Sequence, residues 1–193
     1  ANVTAAGAWR TVVSLNTARR TLAGVGTYTA SLAFGGYNGT TQVATTELYN
    51  GTNWTSVNSL NGVKSALAGA GTATAALSFG GYAPPGNQAT TETWNGTNWT
   101  EVNDLNTARQ ALGSAGIYTA AIGFGGAVPA VTGKTEIWDG TNWTEVGDLS
   151  SGRSYLAGAG SSTSALGFAG TTGSLVTSTE EFTQPPSSES KLI

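Results

Sequence analysis

Residues 91–102 read TETWNGTNWTEV, and nearly the same sequence occurs at residues 46–57 (TELYNGTNWTSV) and 135–146 (TEIWDGTNWTEV). Each copy sets two short runs containing aromatic residues on either side of a turn. In the middle copy the turn begins with Asn95-Gly96, and Asn-Gly favours positive φ at both positions, the strongest short-range signal for a β-hairpin. The three stretches therefore predict three copies of one hairpin.

The hairpin belongs to a longer unit that repeats along the chain. Tryptophans lie 45, 45 and 44 residues apart, at Trp9, Trp54, Trp99 and Trp143. Leucines, basic residues, Phe-Gly-Gly triplets and glutamates recur in the same phase. Small or apolar runs, such as residues 110–116 and 120–125, add two further strands to each unit, and no segment has a helical apolar period. Four short strands in about 45 residues is the organisation of a β-propeller blade.

The repeat resembles the kelch repeat. Its marks are a Gly pair after an apolar strand (Gly80-Gly81), then Thr-Glu-x-aromatic (residues 91–94), then a Trp (Trp99). The similarity extends from Trp9 to Phe182, although the turn is shorter than in the usual kelch unit and Ala169 replaces a glycine in the fourth copy. Similar tandem copies occur in proteins of marine phages and bacterial surfaces, so the resemblance implies a virion, extracellular or cell-surface location.

The two ends of the repeat region complement each other. Residues 9–15 form a fourth strand without a hairpin partner, and residues 179–182 form a third strand without its Trp strand. We expect these two to pair, giving an all-β, four-bladed kelch-like propeller of four-stranded blades over residues 1–182, with a flexible Pro/Ser-rich tail at 183–193. Closure would remove exposed sheet edges. The alternative is exchange of the terminal strand between chains, which produces dimers or filaments.

Composition excludes several function classes. The chain has no Cys, His or Met, and its 8 Lys/Arg and 11 Asp/Glu residues give a net charge of −3. Thiol chemistry, Ser-His-Asp catalysis and copper oxidases similar to galactose oxidase are therefore excluded, and zinc binding is not expected. The weak acidic charge argues against nucleic acid as a partner. The absence of a long apolar run argues against membrane insertion.

Carboxylates offer the one remaining acid–base chemistry. They mostly recur in phase, as Glu92 and Glu136 do, and repetition in every unit is typical of a scaffold rather than a catalytic pair. We therefore expect no enzyme activity and no cofactor or metal, with a carboxylate-based hydrolase as the weakest alternative.

Two sets of side chains are candidate ligand contacts. A ring of cations formed by Arg19, Lys64, Arg109 and Arg153 could meet an anionic or carboxylate-bearing ligand on the face that carries the loops. The alternative, which we favour, is that each base pairs with the Thr-Glu carboxylate of its own or the adjacent repeat. In the variable loops, Tyr37 and Tyr82 could stack on a sugar or contact a protein, or they could simply cover the blade below.

These observations predict a non-enzymatic binding module on a virion appendage or bacterial cell surface. Its loops on one face would recognise a glycan or a protein surface. The alternative is a structural decoration or assembly protein with strand exchange between chains, whose partners would be further copies of itself or other virion proteins.

Overall fold

The computed structural model describes residues 9–185, and every regular element in this range is a β-strand. Four antiparallel sheets, one for each repeat, follow one another along the chain. Sheet 1 contains β1 (Ala23–Thr27), β2 (Ala30–Phe34), β3 (Thr46–Tyr49) and β4 (Trp54–Val57). Sheet 2 contains β5 (Ala68–Gly71), β6 (Ala76–Phe79), β9 (Thr91–Trp94) and β10 (Trp99–Val102). Between β6 and β9 the chain forms a separate small hairpin of β7 (Tyr82–Ala83) and β8 (Gly86–Asn87).

The third and fourth repeats follow the same plan. Sheet 3 contains β11 (Gly113–Ile117), β12 (Ala120–Phe124), β15 (Thr135–Trp138) and β16 (Trp143–Glu145). Between β12 and β15 the chain forms a separate small hairpin of β13 (Ala127–Val128) and β14 (Ala130–Val131). Sheet 4 contains β17 (Ala157–Gly160), β18 (Ser164–Phe168) and β19 (Thr179–Thr183). The all-β class is confirmed, and sheets 1 to 3 have the four strands that the repeat predicts.

The repeated Asn-Gly turn forms the predicted hairpins, but with a different backbone from the one expected. Only its glycine has positive φ, which is 94° at Gly96. The side-chain Oδ1 of Asn95 instead accepts the backbone N–H groups of Thr97 and Asn98, each at 2.9 Å. The turn is therefore a four-residue loop held by the Asn side chain, which explains why the equivalent residue is always Asn or Asp.

Aromatic residues pack sheet 2 against sheet 1 and sheet 3 against sheet 2. The ring centroid of Trp99 lies 4.9 Å from that of Phe34 in sheet 1, and Trp143 lies 4.7 Å from Phe79 in sheet 2. In both cases the indole N–H also donates to a threonine hydroxyl of the preceding sheet at 3.0 Å. The two tryptophans therefore pack between neighbouring sheets.

Small residues let the first strands of neighbouring sheets approach closely. These strands contact one another in the order β1, β5, β11, β17. Ala68 and Ala70 are buried in β5, and a Cβ placed on Gly69 would lie 2.7 Å from the ring of Phe34. A larger residue at position 69 would therefore push sheets 1 and 2 apart.

The structure does not show the predicted closure within the chain. Residues 9–15 form no strand, Trp9 is fully exposed at 104%, and β19 pairs only with β18 among residues 9–185. The backbone N–H of Asn16 donates to Glu47 at 2.6 Å, which holds this segment beside sheet 1. Of the predicted domain and tail, residues 1–8 and 186–193 lie outside the described residues, and Thr183 belongs to β19 rather than to the tail.

Candidate functional site

The basic residues predicted as a ligand-binding ring lie inside the sheets. Each forms an ion pair with the glutamate of its own repeat, and no basic side chain is more than 2% exposed. The pairs are Arg19–Glu47, Lys64–Glu92, Arg109–Glu136 and Arg153–Glu180. A ligand could reach these cations only by breaking the pairs, so the structure supports the scaffold interpretation, with the partner always in the same repeat.

The ion pairs fix the loops on this face of the molecule. The Arg109 guanidinium donates to the carbonyl oxygens of Thr107 at 3.3 Å and Gly123 at 3.1 Å. Its partner Glu136 accepts the backbone N–H of Asn106 at 2.7 Å. One buried pair therefore ties the loop before β11 to both β12 and β15. In the other three repeats the glutamate likewise accepts a backbone N–H of the loop before the base, from Asn16, Asn61 and Ser150.

Burial and pairing change the acidity of these groups. Burial alone would raise the pKa of Glu47, but the Asn16 N–H and the Arg19 guanidinium outweigh it, and the pKa lies below its usual value. Burial lowers the pKa of Lys64, and the charge of Glu92 offsets this only in part. The charge of Lys64 is therefore held at a net cost.

The residue that follows each buried base forms a backbone bridge within its own repeat. Arg20 forms an antiparallel bridge with Tyr37, and its guanidinium carbon lies 5.2 Å from the centre of the Tyr37 ring. The equivalent bridges are Ser65 with Tyr82, Gln110 with Ala127, and Ser154 with Thr171. The backbone pairing is identical in all four repeats while the side chains differ: Arg20 is exposed and Gln110 is half-buried, whereas Ser65 and Ser154 are buried.

At the next position, the backbones of neighbouring repeats form hydrogen bonds with one another. Thr21, Ala66, Ala111 and Tyr155 all have positive φ, between 51° and 55°. Their backbones form a ladder across the sheets, because Ala66 donates to Thr21, Ala111 to Ala66, and Tyr155 to Ala111, each at 2.8 Å. A left-handed backbone is unfavourable for residues other than glycine, so the ladder uses local strain to direct these residues towards a common centre.

A pocket of about 410 Å³ opens at this centre, and we refer to it as the central pocket. Its walls come from all four repeats: Arg20, Thr21, Tyr37, Gln42, Ser65, Ala66, Gln110 and Tyr155. Tyr155 is 65% exposed, so its ring stands in solvent at the wall of the pocket. A neighbouring hollow shares Thr21, Ala66 and Tyr155 and is otherwise lined by apolar residues. The site thus combines an aromatic ring, a guanidinium, amides and hydroxyls.

The two predicted tyrosines have different positions. Tyr37 lines the central pocket, half-buried, with its hydroxyl donating to the carbonyl oxygen of Gly39 at 3.0 Å. Tyr82 is also half-buried but lies outside the pocket wall, in the small hairpin after β6. The structure therefore supports Tyr37 as a surface contact and associates Tyr82 with its own hairpin.

Sequence reasoning missed Arg20, Gln110 and Tyr155. The signal was available in the repeat itself, since the position after each base reads Arg, Ser, Gln, Ser, and the next reads Thr, Ala, Ala, Tyr. Differences at single positions beside an invariant base mark side chains that the scaffold does not constrain. These residues lie on the strand side of the loops, so the variability of the loops does not identify them.

Searches with protein-family models and with curated protein sequences gave no match to this chain. Residues 9–185 contain no cluster of three or more acidic residues that could hold a metal ion. No helix able to cross a membrane occurs in the same range.

Proposed function

We propose that this chain is a non-enzymatic binding module that takes a glycan in the central pocket. The main support is that the pocket collects different side chains from four repeats that otherwise match. Sugars pack their C–H faces on aromatic rings and form hydrogen bonds with amides and hydroxyls. Tyr155, Gln42, Gln110 and Ser65 supply these groups in one open pocket.

Arg20 favours a glycan that carries a carboxylate. Among residues 9–185 no carboxylate lies within ion-pair distance of its guanidinium, in contrast to the neighbouring Arg19. A guanidinium binds a carboxylate through two parallel hydrogen bonds, and the Tyr37 ring beside it keeps it at the wall of the pocket. An acidic sugar is therefore the proposed ligand class, with a protein surface as the alternative.

The buried carboxylates support a role without catalysis. Glu47, Glu92 and Glu136 are almost fully enclosed and are neutralised by a base in the same repeat. A general acid or a nucleophile must reach the substrate, and these groups face the interior of the sheets. The hydrolase alternative therefore has no accessible pair among Glu47, Glu92 and Glu136.

We also propose that the four sheets are blades of a kelch-like propeller on a virion appendage or bacterial cell surface. The ladder of Thr21, Ala66, Ala111 and Tyr155 around one centre supports a radial arrangement of the sheets. The location rests on the resemblance to tandem-repeat proteins of phages and bacterial surfaces.

A glycan array followed by calorimetry tests the binding function. We expect acidic glycans to bind, and Arg20→Gln to reduce affinity for them about tenfold while affinity for the matching neutral sugar changes little, since one charge-assisted contact contributes about 1.5–3 kcal/mol. Lys134→Ala is the control, because Lys134 pairs with Glu145 on the surface and does not line the central pocket. An array and a host-cell pull-down that are both blank at high protein concentration would contradict the proposal.

A further inference from the structure

The first two junctions between sheets share one design. In the first, Trp99 packs on Phe34 and donates its indole N–H to the hydroxyl of Thr46 at 3.0 Å. The second repeats both contacts, with Trp143, Phe79 and Thr91. In each junction the indole comes from the last strand of the later sheet and completes the core between the two sheets.

The third junction has the same walls but lacks the indole. Phe124 and Thr135 are the equivalent residues of sheet 3, and they line a cleft whose opposite wall includes Gly167 and Phe182 of sheet 4. The cleft has a volume of about 50 Å³. Phe182 occupies the position that Trp94 has in sheet 2. The residue that this cleft lacks is therefore the equivalent of Trp99, the tryptophan of the last strand.

Trp9 has the repeat phase of this missing residue, and its neighbour adds charge complementarity. In sheet 2, Trp99 lies opposite Trp94, and Thr100 opposite Thr93. The same register places Trp9 opposite Phe182 and Arg10 opposite Glu181. Both Arg10 and Glu181 are exposed, and the equivalent pairs in sheets 1 to 3 are uncharged. Opposite charges facing each other across an antiparallel pair are stabilising.

The third junction also lacks the asparagine side chain that forms a hydrogen bond with the hairpin turn of the next sheet at the first two junctions. Asn58 donates its side-chain N–H to Thr97 in the turn of the next sheet at 3.0 Å, and Asn103 does the same to Thr141. The equivalent residue at the third junction is Gly147, which has no side chain to donate. This junction therefore suits a strand that arrives without the hairpin turn, as a separate segment would.

The hydrogen bond of Asn16, directly after residues 9–15, indicates on which side of sheet 1 these residues belong. Asn61 donates its backbone N–H to Glu92 of sheet 2, while the strand before it, β4, belongs to sheet 1. Asn16 makes the equivalent bond to Glu47 of sheet 1. By the same rule, residues 9–15 belong to a sheet in front of sheet 1, and this chain places no sheet there among the residues described.

We propose that residues 9–15 of a second copy of this chain fill the cleft and become the fourth strand of sheet 4. The second copy would then follow head to tail, and its Trp54 would cover Phe168, which is 37% exposed here, as Trp99 covers Phe34. Such a contact uses two different surfaces, so it produces a closed ring or a linear assembly. The assembly is independent of glycan binding in the central pocket.

Sedimentation velocity over a range of concentrations tests the exchange. The full chain should self-associate, and Trp9→Ala should weaken the association at least about thirtyfold, since truncating a buried aromatic anchor costs more than about 2 kcal/mol. Tyr155→Ala is the control and should leave the association unchanged, because Tyr155 lies at the central pocket. A chain that stays monomeric at all concentrations, or an association indifferent to Trp9→Ala, would overturn the proposal.

Charge reversal distinguishes exchange between chains from closure within one chain. Arg10→Glu places Glu opposite Glu181, and Glu181→Arg places Arg opposite Arg10, so each variant alone should associate about tenfold more weakly. An equimolar mixture restores opposite charges at every contact between unlike chains and should recover the association. If the mixture behaves as the sum of the two weak variants, the segment does not pass between copies and the proposal fails.

Discussion

Arg19 and Arg20 are adjacent and chemically identical, yet the fold gives them opposite roles. Arg19 is enclosed and paired with Glu47, whereas Arg20 is exposed beside Tyr37 at the central pocket. Successive side chains of an extended backbone point to opposite sides, so one faces the sheet interior and the next faces the pocket. The proposed contact with the ligand, Arg20, thus lies one position after the base that recurs in every repeat.

The backbone at Tyr155 allows a test that separates strain from binding. Its φ of 54° disfavours any side chain with a Cβ. We expect Tyr155→Gly to be more stable than Tyr155→Ala by about 1 kcal/mol, because only glycine adopts this conformation without strain. Both variants should lose glycan affinity, since both lose the ring. Urea denaturation and calorimetry measure the two effects.

Ala157 is the matched control for this comparison. It lies two residues further on, in β17, and does not have positive φ. There Ala157→Gly should be destabilising, by about 0.5–1 kcal/mol. If glycine were no better than alanine at position 155, the strain inferred from the ladder would be wrong.

At the level of the strands and loops, buried ion pairs set the position of each loop. Arg109 and Glu136 connect the loop before β11 to β12 and β15 through hydrogen bonds from both partners. A buried pair contributes little net stability relative to apolar residues, but removing one partner leaves an uncompensated charge. The pairs therefore act mainly by fixing geometry, which the central pocket requires.

Removal of one buried base should be severe. We expect Arg109→Ala to lower the free energy of unfolding by about 3–5 kcal/mol, because Glu136 would be left charged and enclosed. Arg109→Lys should retain most of the stability, since Lys64 occupies the equivalent position in sheet 2. Urea denaturation of both variants measures the difference, and it remains informative if Arg109→Ala does not fold.

The exposed pair of Lys134 and Glu145 provides the matched control. Both side chains are more than one third exposed, and solvent screens their attraction. Lys134→Ala should therefore leave the free energy of unfolding unchanged within error. Equal losses for the buried and exposed pairs would show that burial does not determine their importance.

At the level of the whole molecule, the sheets follow one another through similar junctions. Two surfaces at the ends of this series have no packing partner among residues 9–185. The cores between sheets 1, 2 and 3 are each completed by an indole, whereas the cleft beside Phe124 is not. In repeat architectures each unit is stabilised by its neighbours. The incomplete junction is therefore expected to be the weakest part of the described chain until another strand fills it.

A pair of tryptophan variants tests this view of the junctions. Trp99 is buried between sheets 1 and 2, and Trp54 is half-buried on the open side of sheet 1. Trp99→Ala should cost about 3–5 kcal/mol in the free energy of unfolding. Trp54→Ala should cost clearly less at concentrations where the chain is monomeric. Equal costs would indicate that the open side of sheet 1 is already covered.

Much of the fold could be predicted from the sequence because it depends on local chemistry and repetition. The phase of Trp54, Trp99 and Trp143 indicates the repeat, and the Asn-Gly turns define the outer hairpins. The pairing of bases with glutamates was predicted as an alternative from their equal numbers. The central pocket was not predicted, because its residues converge only through the backbone ladder between sheets.

The sequence alone predicts the all-β class, the repeat boundaries, the turn positions and the scaffold role of the repeated glutamates. Each of these follows from side-chain chemistry at fixed spacing, which acts over a few residues. The tertiary structure shows in addition that Tyr155 and Arg20 line one pocket and that residues 9–15 lie beside sheet 1 rather than next to β19. Those outcomes depend on how four sheets are placed in space, and a repeat pattern carries no information about the angle at which its units meet. TETWNGTNWTEV therefore specifies a hairpin, while the packing of hairpins against one another specifies the site.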